Sequence, residues 1–285
     1  MGQLNLSDIK YLMAKYDIRP KKKLGQNFLV DNNIIAKIVN STDIANRVVV
    51  EIGPGLGSLT KALAQKAGRV IAVELDSRFL PPLKEVFSLQ ENVEIIHADA
   101  LKLDYDQIMQ ERGLSESYVV VANLPYYITT PMIMHLLENK FNIDELVIMT
   151  QKEVANRMRA KPGTKDYGSL TLAVQYYADV SLVAKVPPTV FLPKPEVDSA
   201  VIKLKRHLKP VFEVNDEELL FKVIKAGFAK RRKTLLNALT SADLNISKAE
   251  LMEICRASGI NEQSRMEQLS LQEIIRLANY FKEGD

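Results

Sequence analysis

A single cysteine, Cys255, occurs in the 285 residues, so no internal disulfide can form. That suits a reducing, intracellular compartment. The three histidines, His97, His135 and His207, are scattered along the chain, too few and too far apart for a zinc site. His135 lies in the apolar helical run Met132–Leu137 and is read as structural. No apolar run approaches the roughly 20 residues that span a bilayer. The opening stretch MGQLNLSDIKYLMAKYDI carries acids and lacks the apolar core of a signal peptide. We therefore expect a cytoplasmic protein with no metal and no membrane partner. Neither a GxSxG nucleophile elbow nor a GxxxxGK[ST] phosphate loop is present, which removes the chemistries built on them.

What is present is a soluble composition, 47% apolar and 26% charged, in a chain long enough for one large and one smaller domain. The net charge of +3 is unevenly spread. Residues 1–200 hold 23 basic and 23 acidic side chains, whereas residues 201–285 hold 15 and 12. Two basic clusters stand out. One is Arg19-Pro20-Lys21-Lys22-Lys23; the other is Lys222, Lys225, Lys230, Arg231, Arg232 and Lys233, with no acid between them. Such clusters suit a polyanion. On the helical stretch 219–239, Leu220, Val223, Ile224 and Phe228 can pack inward, which turns Lys222 and Lys225 outward.

From residue 47 onward, short apolar runs alternate with helical stretches. Arg47–Ile52, Arg69–Leu75, Val93–His97, Tyr118–Ala122 and Leu146–Thr150 read as strands, mostly apolar on both faces as a buried parallel sheet requires. Ser58–Ala67 reads as a helix between the first two. This alternation predicts a doubly wound α/β sheet of the Rossmann-like kind. Leu170–Tyr177 and Ala200–Arg206 are expected as later strands on an antiparallel edge. After Pro210 the pattern is helical, so the expected division is 1–208 and a smaller all-helical domain, 209–285.

The first strand runs into Glu51-Ile52-Gly53-Pro54-Gly55-Leu56-Gly57-Ser58. Glycines at Gly53 and Gly55 let backbone approach a ligand closely, at the strand end where open α/β sheets bind nucleotides. A lone loop of this kind can be an ordinary tight turn. Its spacing is GxGxG, not the GxGxxG of dinucleotide sites, which favours an adenosyl ligand without a pyrophosphate. Glu74, 21 residues after Gly53, ends the second strand and can accept both ribose hydroxyls. Asp99 follows the third strand and can accept from an adenine amine. Singly these acids would pass for solvated loop residues; in this order they read as a site for an adenosyl cofactor, and S-adenosylmethionine is the one expected.

The fourth strand ends in Asn123-Leu124-Pro125-Tyr126-Tyr127. An exocyclic adenine amine is a poor nucleophile because its lone pair is delocalised into the ring. The Asn123 side-chain oxygen and the Leu124 carbonyl can take its N–H groups and turn that lone pair toward a methyl donor. Pro125 stiffens the turn and the Tyr126 ring can stack on the base. With a sulfonium leaving group, the task is alignment and not acid–base work.

These stretches together resemble the bacterial small-subunit ribosomal RNA adenine dimethyltransferases. The resemblance rests on Lys23–Leu29 (KLGQNFL), EIGPGLGSLT, VELD, HADA, NLPYYITTP, QKEVANRMRAKPGTKDYGSL and Phe191–Ser199 (FLPKPEVDS). It runs from about residue 19 to at least 206. It implies that Asn27 and Leu29 close over the cofactor, that Gly53, Glu74, Asp99 and Asn123 contact it, and that Tyr126 and Phe191 sandwich a flipped-out adenine. The implied reaction gives N6,N6-dimethyladenine at two adjacent adenines in a 3′-terminal hairpin loop of small-subunit rRNA. The expected partner is that RNA within a pre-small-subunit particle, met by a monomer. Lys21, Lys22, Lys23, Lys222, Lys225, Arg231 and Arg232 are the expected phosphate contacts.

Three rivals share parts of this pattern. Large-subunit rRNA adenine methyltransferases of the macrolide-resistance type share the cofactor loop and an Asn-Leu/Ile-Pro-Tyr/Phe element. YGSLTLAVQYYADV and FLPKPEVDSAV match the small-subunit enzymes more closely. A non-catalytic assembly factor would have no need of an intact Asn123–Tyr126. DNA adenine methyltransferases carry a proline where this chain has Leu124.

Overall fold

The computed structural model describes residues 2–20, 25–207, 209, 211–242, 244 and 246–281. The expected contacts Lys21, Lys22 and Lys23 lie outside them. In chain order the elements up to the main sheet are α1 (Leu6–Lys15), β1 (Phe28–Leu29) and α2 (Asn32–Asn40). There follow β2 (Val48–Ile52), α3 (Ser58–Ala64), β3 (Arg69–Glu74), α4 (Leu80–Val86), β4 (Val93–His97), α5 (Tyr105–Gln110) and β5 (Tyr118–Asn123). Next come α6 (Thr129–Glu138), β6 (Ile143–Gln151), α7 (Lys152–Met158), α8 (Ser169–Tyr177), β7 (Ala178–Val186), β8 (Phe191–Leu192) and β9 (Ser199–Arg206). The helices α9 (Glu217–Ala229), α10 (Leu235–Leu239), α11 (Lys248–Ser258) and α12 (Leu271–Ala278) complete the chain.

The chain divides into two compact units, residues 1–155 with 179–206, and residues 156–178 with 207–285. The first is built on a seven-stranded sheet of order β4-β3-β2-β5-β6-β9-β7. Neighbours from β4 through β6 run parallel, and β9 is antiparallel to β6. Side chains alternate across it. Val49, Val70, Val119, Val121, Val147 and Val201 share a core with Ile35 and Ile38 of α2 and Leu59 and Leu63 of α3. Val50, Ile71, Val120 and Ile148, on the opposite face, are equally buried. The five expected parallel strands are all present, with ends shifted by a few residues. Helix α3 stops at Ala64, three residues before the expected Ala67, in a turn where Ala67 N donates to Leu63 O at 2.8 Å.

Two expectations need correction. Leu170–Tyr177 is not a strand; it forms α8. Its β-branched and aromatic composition suggests a strand, but Leu172 and Tyr167 join the helical core formed by Leu220, Val223, Leu236, Leu251 and Ile274. The Tyr167 hydroxyl donates to Leu269 O at 2.8 Å. Packing overrides local preference here. The same contacts move the unit boundary. Residues 156–178 belong with the C-terminal helices, so the division is not a single cut near 208. The antiparallel edge begins instead at Ala178.

Candidate active site

The C-terminal ends of β2, β3, β4 and β5 converge on two adjoining cavities. One, of about 110 Å³, is lined by Glu51, Gly53, Gly55, Glu74, Asn123–Tyr126 and Phe191, with the strap Gly25–Leu29. The other, of about 470 Å³, lies along Glu74–Ser77, Ala98–Leu101, Pro125, Tyr127, Ile128 and Met132. They share Gln26, Gly53, Glu74, Leu124 and Pro125.

The glycine loop is shaped as its residues demand. Gly53 and Gly55 hold φ of 72° and 57°, where other L-residues are strained. A Cβ at Gly55 would also press on the Phe28 ring at 3.2 Å. Gly55 N donates to Glu74 Oε2 at 3.2 Å and Asp76 N donates to Oε1 at 2.8 Å, fixing the carboxylate at the strand end. Burial raises the Glu74 pKa against those two amides. Asp99 turns its Oδ1 to Leu101 N at 3.1 Å and lines the larger cavity.

Glu51 was quoted in the loop motif but given no role by sequence. It is 1% exposed, and its Oε2 has no hydrogen-bond partner. Burial above all, with the Glu74 charge adding to it and the Thr60 hydroxyl opposing, pushes its pKa up to about 8. A buried acceptor of this kind in a cavity wall fits a cationic ligand. S-adenosylmethionine, with a sulfonium and an ammonium, has that chemistry, and the bare glycine cradle leaves backbone accessible beside it.

The strap is held at several points. Strands β1 and β8 pair antiparallel, setting Leu29 opposite Phe191 and Phe28 opposite Leu192. Asn123 Nδ2 donates to Asn27 O at 3.3 Å. Using the amide nitrogen there leaves the Asn123 oxygen as the acceptor, as the expected chemistry requires. Pro125 O accepts from Ile128 N at 3.1 Å, closing the turn that carries Tyr126. The Tyr126 hydroxyl lies 2.7 Å from the hydroxyl of Ser199, a fully buried residue that sequence reasoning left without a role. Burial raises the Tyr126 pKa, opposed by Ser199, so the phenol stays protonated. Phe191 lines the smaller cavity yet is 3% exposed and packed beside Leu29 in the sheet core. Asn27, Leu29, Gly53, Gly55, Glu74, Asn123, Leu124, Pro125, Tyr126 and Phe191 thus line one cavity, and Asp99 lines its neighbour.

A model of the ribosomal RNA adenine dimethylase family matches residues 18–283. The chain belongs to that family. A small-subunit ribosomal RNA methyltransferase A from Alkaliphilus oremlandii is 48% identical over 95% of this chain and 94% of its own length. Among solved structures, a dimethyladenosine transferase from Plasmodium falciparum has a TM-score of 0.73 at 26% identity, covering 88% of this chain and 95% of its own. The 23S rRNA methyltransferase ErmE has a TM-score of 0.68 at 27% identity, over 89% and 99%. The chain is a methyltransferase that uses S-adenosylmethionine, and the sheet is the Rossmann-like sheet of such enzymes.

The expected RNA contacts fare unequally within the helical unit. Lys222, Lys225, Arg231 and Arg232 are all exposed. Lys222 pairs with Glu218 at 2.7 Å, and Arg231 donates to Glu267 at 2.8 Å and to Lys165 O at 3.0 Å. Arg231 therefore brings the exposed loop that carries Lys161 and Lys165 beside the Lys230–Lys233 run, a link that separation in sequence conceals. No cluster of metal-binding side chains occurs among the described residues, and no helix among them is long and apolar enough to cross a membrane.

Proposed function

We propose that this protein transfers methyl groups from S-adenosylmethionine to the N6 atoms of two adjacent adenines in a 3′-terminal hairpin loop of small-subunit rRNA. The product is N6,N6-dimethyladenine, made on a pre-small-subunit particle in the cytoplasm by a monomer. The observation that carries this reading is the meeting of Glu51, Gly53 and Glu74 with Asn123–Tyr126 and Phe191 around one cavity. The small-subunit specificity named for the curated relative favours it over the large-subunit alternative.

The bound cofactor supplies an electrophilic methyl on a sulfonium. Glu74 takes the ribose hydroxyls, Asp99 the adenine amine of the cofactor, and the Gly53–Gly55 backbone allows close approach. Asn27 and Leu29 cover the site from the strap. The Asn123 oxygen and the Leu124 carbonyl accept the N6 hydrogens of the target base and pyramidalise its nitrogen. Tyr126, aimed by Ser199, and Phe191 stack on the flipped ring. As the N6–methyl bond forms the nitrogen gives up a proton to solvent, and the task of these residues is alignment. Flipping costs a few kcal/mol, and phosphate contacts from Lys21–Lys23, Lys222, Lys225, Arg231 and Arg232 offset it.

The test is mass spectrometry of nucleosides from each ribosomal RNA in a strain lacking the gene. Loss of dimethyladenine from small-subunit RNA alone is the expected result. Loss from large-subunit RNA would replace this reading with the alternative, and no change in either would refute it.

A further inference from the structure

We infer that Arg78 is a positioning residue that latches the strap Gly25–Leu29 over the cofactor cavity and so sets how long S-adenosylmethionine stays bound. Arg78 lines neither cavity; it acts through residues that do. Its Nε donates to Asp76 Oδ1 at 2.9 Å and its Nη2 to Oδ2 at 2.5 Å. Nη2 also reaches Gln26 Oε1 at 3.3 Å, and Nη1 reaches Arg19 O at 3.3 Å. Gln26 Nε2 closes the ring of contacts by donating to Asp76 Oδ2 at 3.1 Å.

One guanidinium thus contacts both Arg19 and the strap residue Gln26. The other end of the network is the ribose acceptor, because Asp76 N donates to Glu74 Oε1. An apolar route runs in parallel. The guanidinium sits 5.7 Å from the centre of the Phe79 ring, and that ring meets Phe28 of the strap edge-on at 5.6 Å. Release of a ligand under the strap requires Gln26–Leu29 to lift, and lifting breaks the Gln26 contacts along with the β1–β8 pairing. A planar fork is needed for this; a lysine ammonium cannot span Asp76, Gln26 and Arg19 O together.

The Arg78 side chain is 31% exposed and that of Asp76 17%, so the latch is worth a modest factor and not orders of magnitude. The experiment is a chase of radiolabelled S-adenosylmethionine from the full chain with excess unlabelled cofactor. Arg78→Ala should release it up to about fivefold faster than wild type, the size expected for a partly exposed pair. Arg78→Lys should fall between the two. Gln26→Ala combined with Arg78→Ala should speed release by less than the product of the two single effects, since the two side chains share one contact. Single-turnover methyl transfer at saturating cofactor should stay within about twofold of wild type, because alignment is untouched.

The inference rests on the cofactor occupying this cavity, so Glu74→Ala is chased alongside. If Glu74→Ala speeds release and Arg78→Ala does not, the latch is overturned while the cofactor site stands. If neither changes release, both fall together. A lower melting temperature with wild-type release in Arg78→Ala would mean a purely structural ion pair and would also overturn it.

Discussion

Replacing Glu51 by glutamine should flatten the pH dependence of stability of the cofactor-free protein. The carboxyl is fully enclosed and its pKa lies near 8, against 4.5 for an exposed glutamate. The sign follows from proton binding. Below pH 4.5 both folded and unfolded chains hold the proton, and the group has no effect on stability. Between pH 4.5 and 8 the unfolded chain releases the proton and the folded chain keeps it. Stability therefore falls as pH rises, and above about 8 the loss is complete. The whole span is worth about 5 kcal/mol, of which about 3 kcal/mol falls between pH 5.5 and 8.5. For a unit of this size that is on the order of 10 °C in Tm. Calorimetric melting of wild type and Glu51→Gln at both pH values measures it. Other titrating groups are common to both proteins and cancel in the comparison. The amide adds a constant offset and no slope. Wild type should lose about 3 kcal/mol more than the variant on going to pH 8.5. Parallel curves would refute the burial argument.

The remaining predictions concern the base and the RNA. Asn123→Ala should abolish transfer while cofactor affinity is nearly kept, and a single-turnover rate above about a tenth of wild type would remove Asn123 from its role. Phe191→Ala should destabilise the fold by about 3–5 kcal/mol because the ring is buried, so Phe191→Leu is the sharper variant. It should cost less than about 1.5 kcal/mol of stability and about 1–3 kcal/mol of base stacking; wild-type turnover in a stably folded Phe191→Leu would make Phe191 a core residue only. Replacing Lys222, Lys225, Arg231 and Arg232 with glutamine should flatten the salt dependence of RNA binding by up to about 0.7–0.9 log units per lost phosphate contact. Lys225 and Arg232 should account for more of this than the paired Lys222 and Arg231, and an unchanged slope would leave the patch a solubilising surface.

The parallel strands were legible because burial on both faces writes continuous apolar runs, as in Val70–Val73 and Tyr118–Ala122. The glycine loop was legible because positive φ restricts residue choice. Helix α8 was not, since the run Ser169–Tyr177 carries strand-like residues and its helical state depends on partners about 50 to 100 positions away, such as Leu220 and Ile274. The unit boundary was hidden for the same reason. Roles that depend on burial or on distant partners left little local trace. Glu51 looks like any acid before a glycine turn until its enclosure is known. Arg78 looks like a surface arginine until Gln26, 52 positions earlier, is found against it. Ser199 gains meaning from Tyr126, 73 positions earlier.

The two sides of the site differ in charge, and on the proposed reading that difference sorts the ligands. Glu74, Asp76 and Asp99 come from the ends of β3 and β4 or just beyond them, whereas the end of β5 supplies Asn123, Leu124, Pro125 and Tyr126, all neutral. A cationic cofactor is favoured on the acidic side and a neutral base on the other. RNA phosphates are repelled from the acids, so the polyanion must be held elsewhere. The exposed cations Lys225, Lys230, Arg232 and Lys233 belong to the helical unit, and those carboxylates to the sheet unit. On the proposed reading the acids serve the sulfonium and the cations the polyphosphate backbone, with the uncharged base the part that enters the cavity.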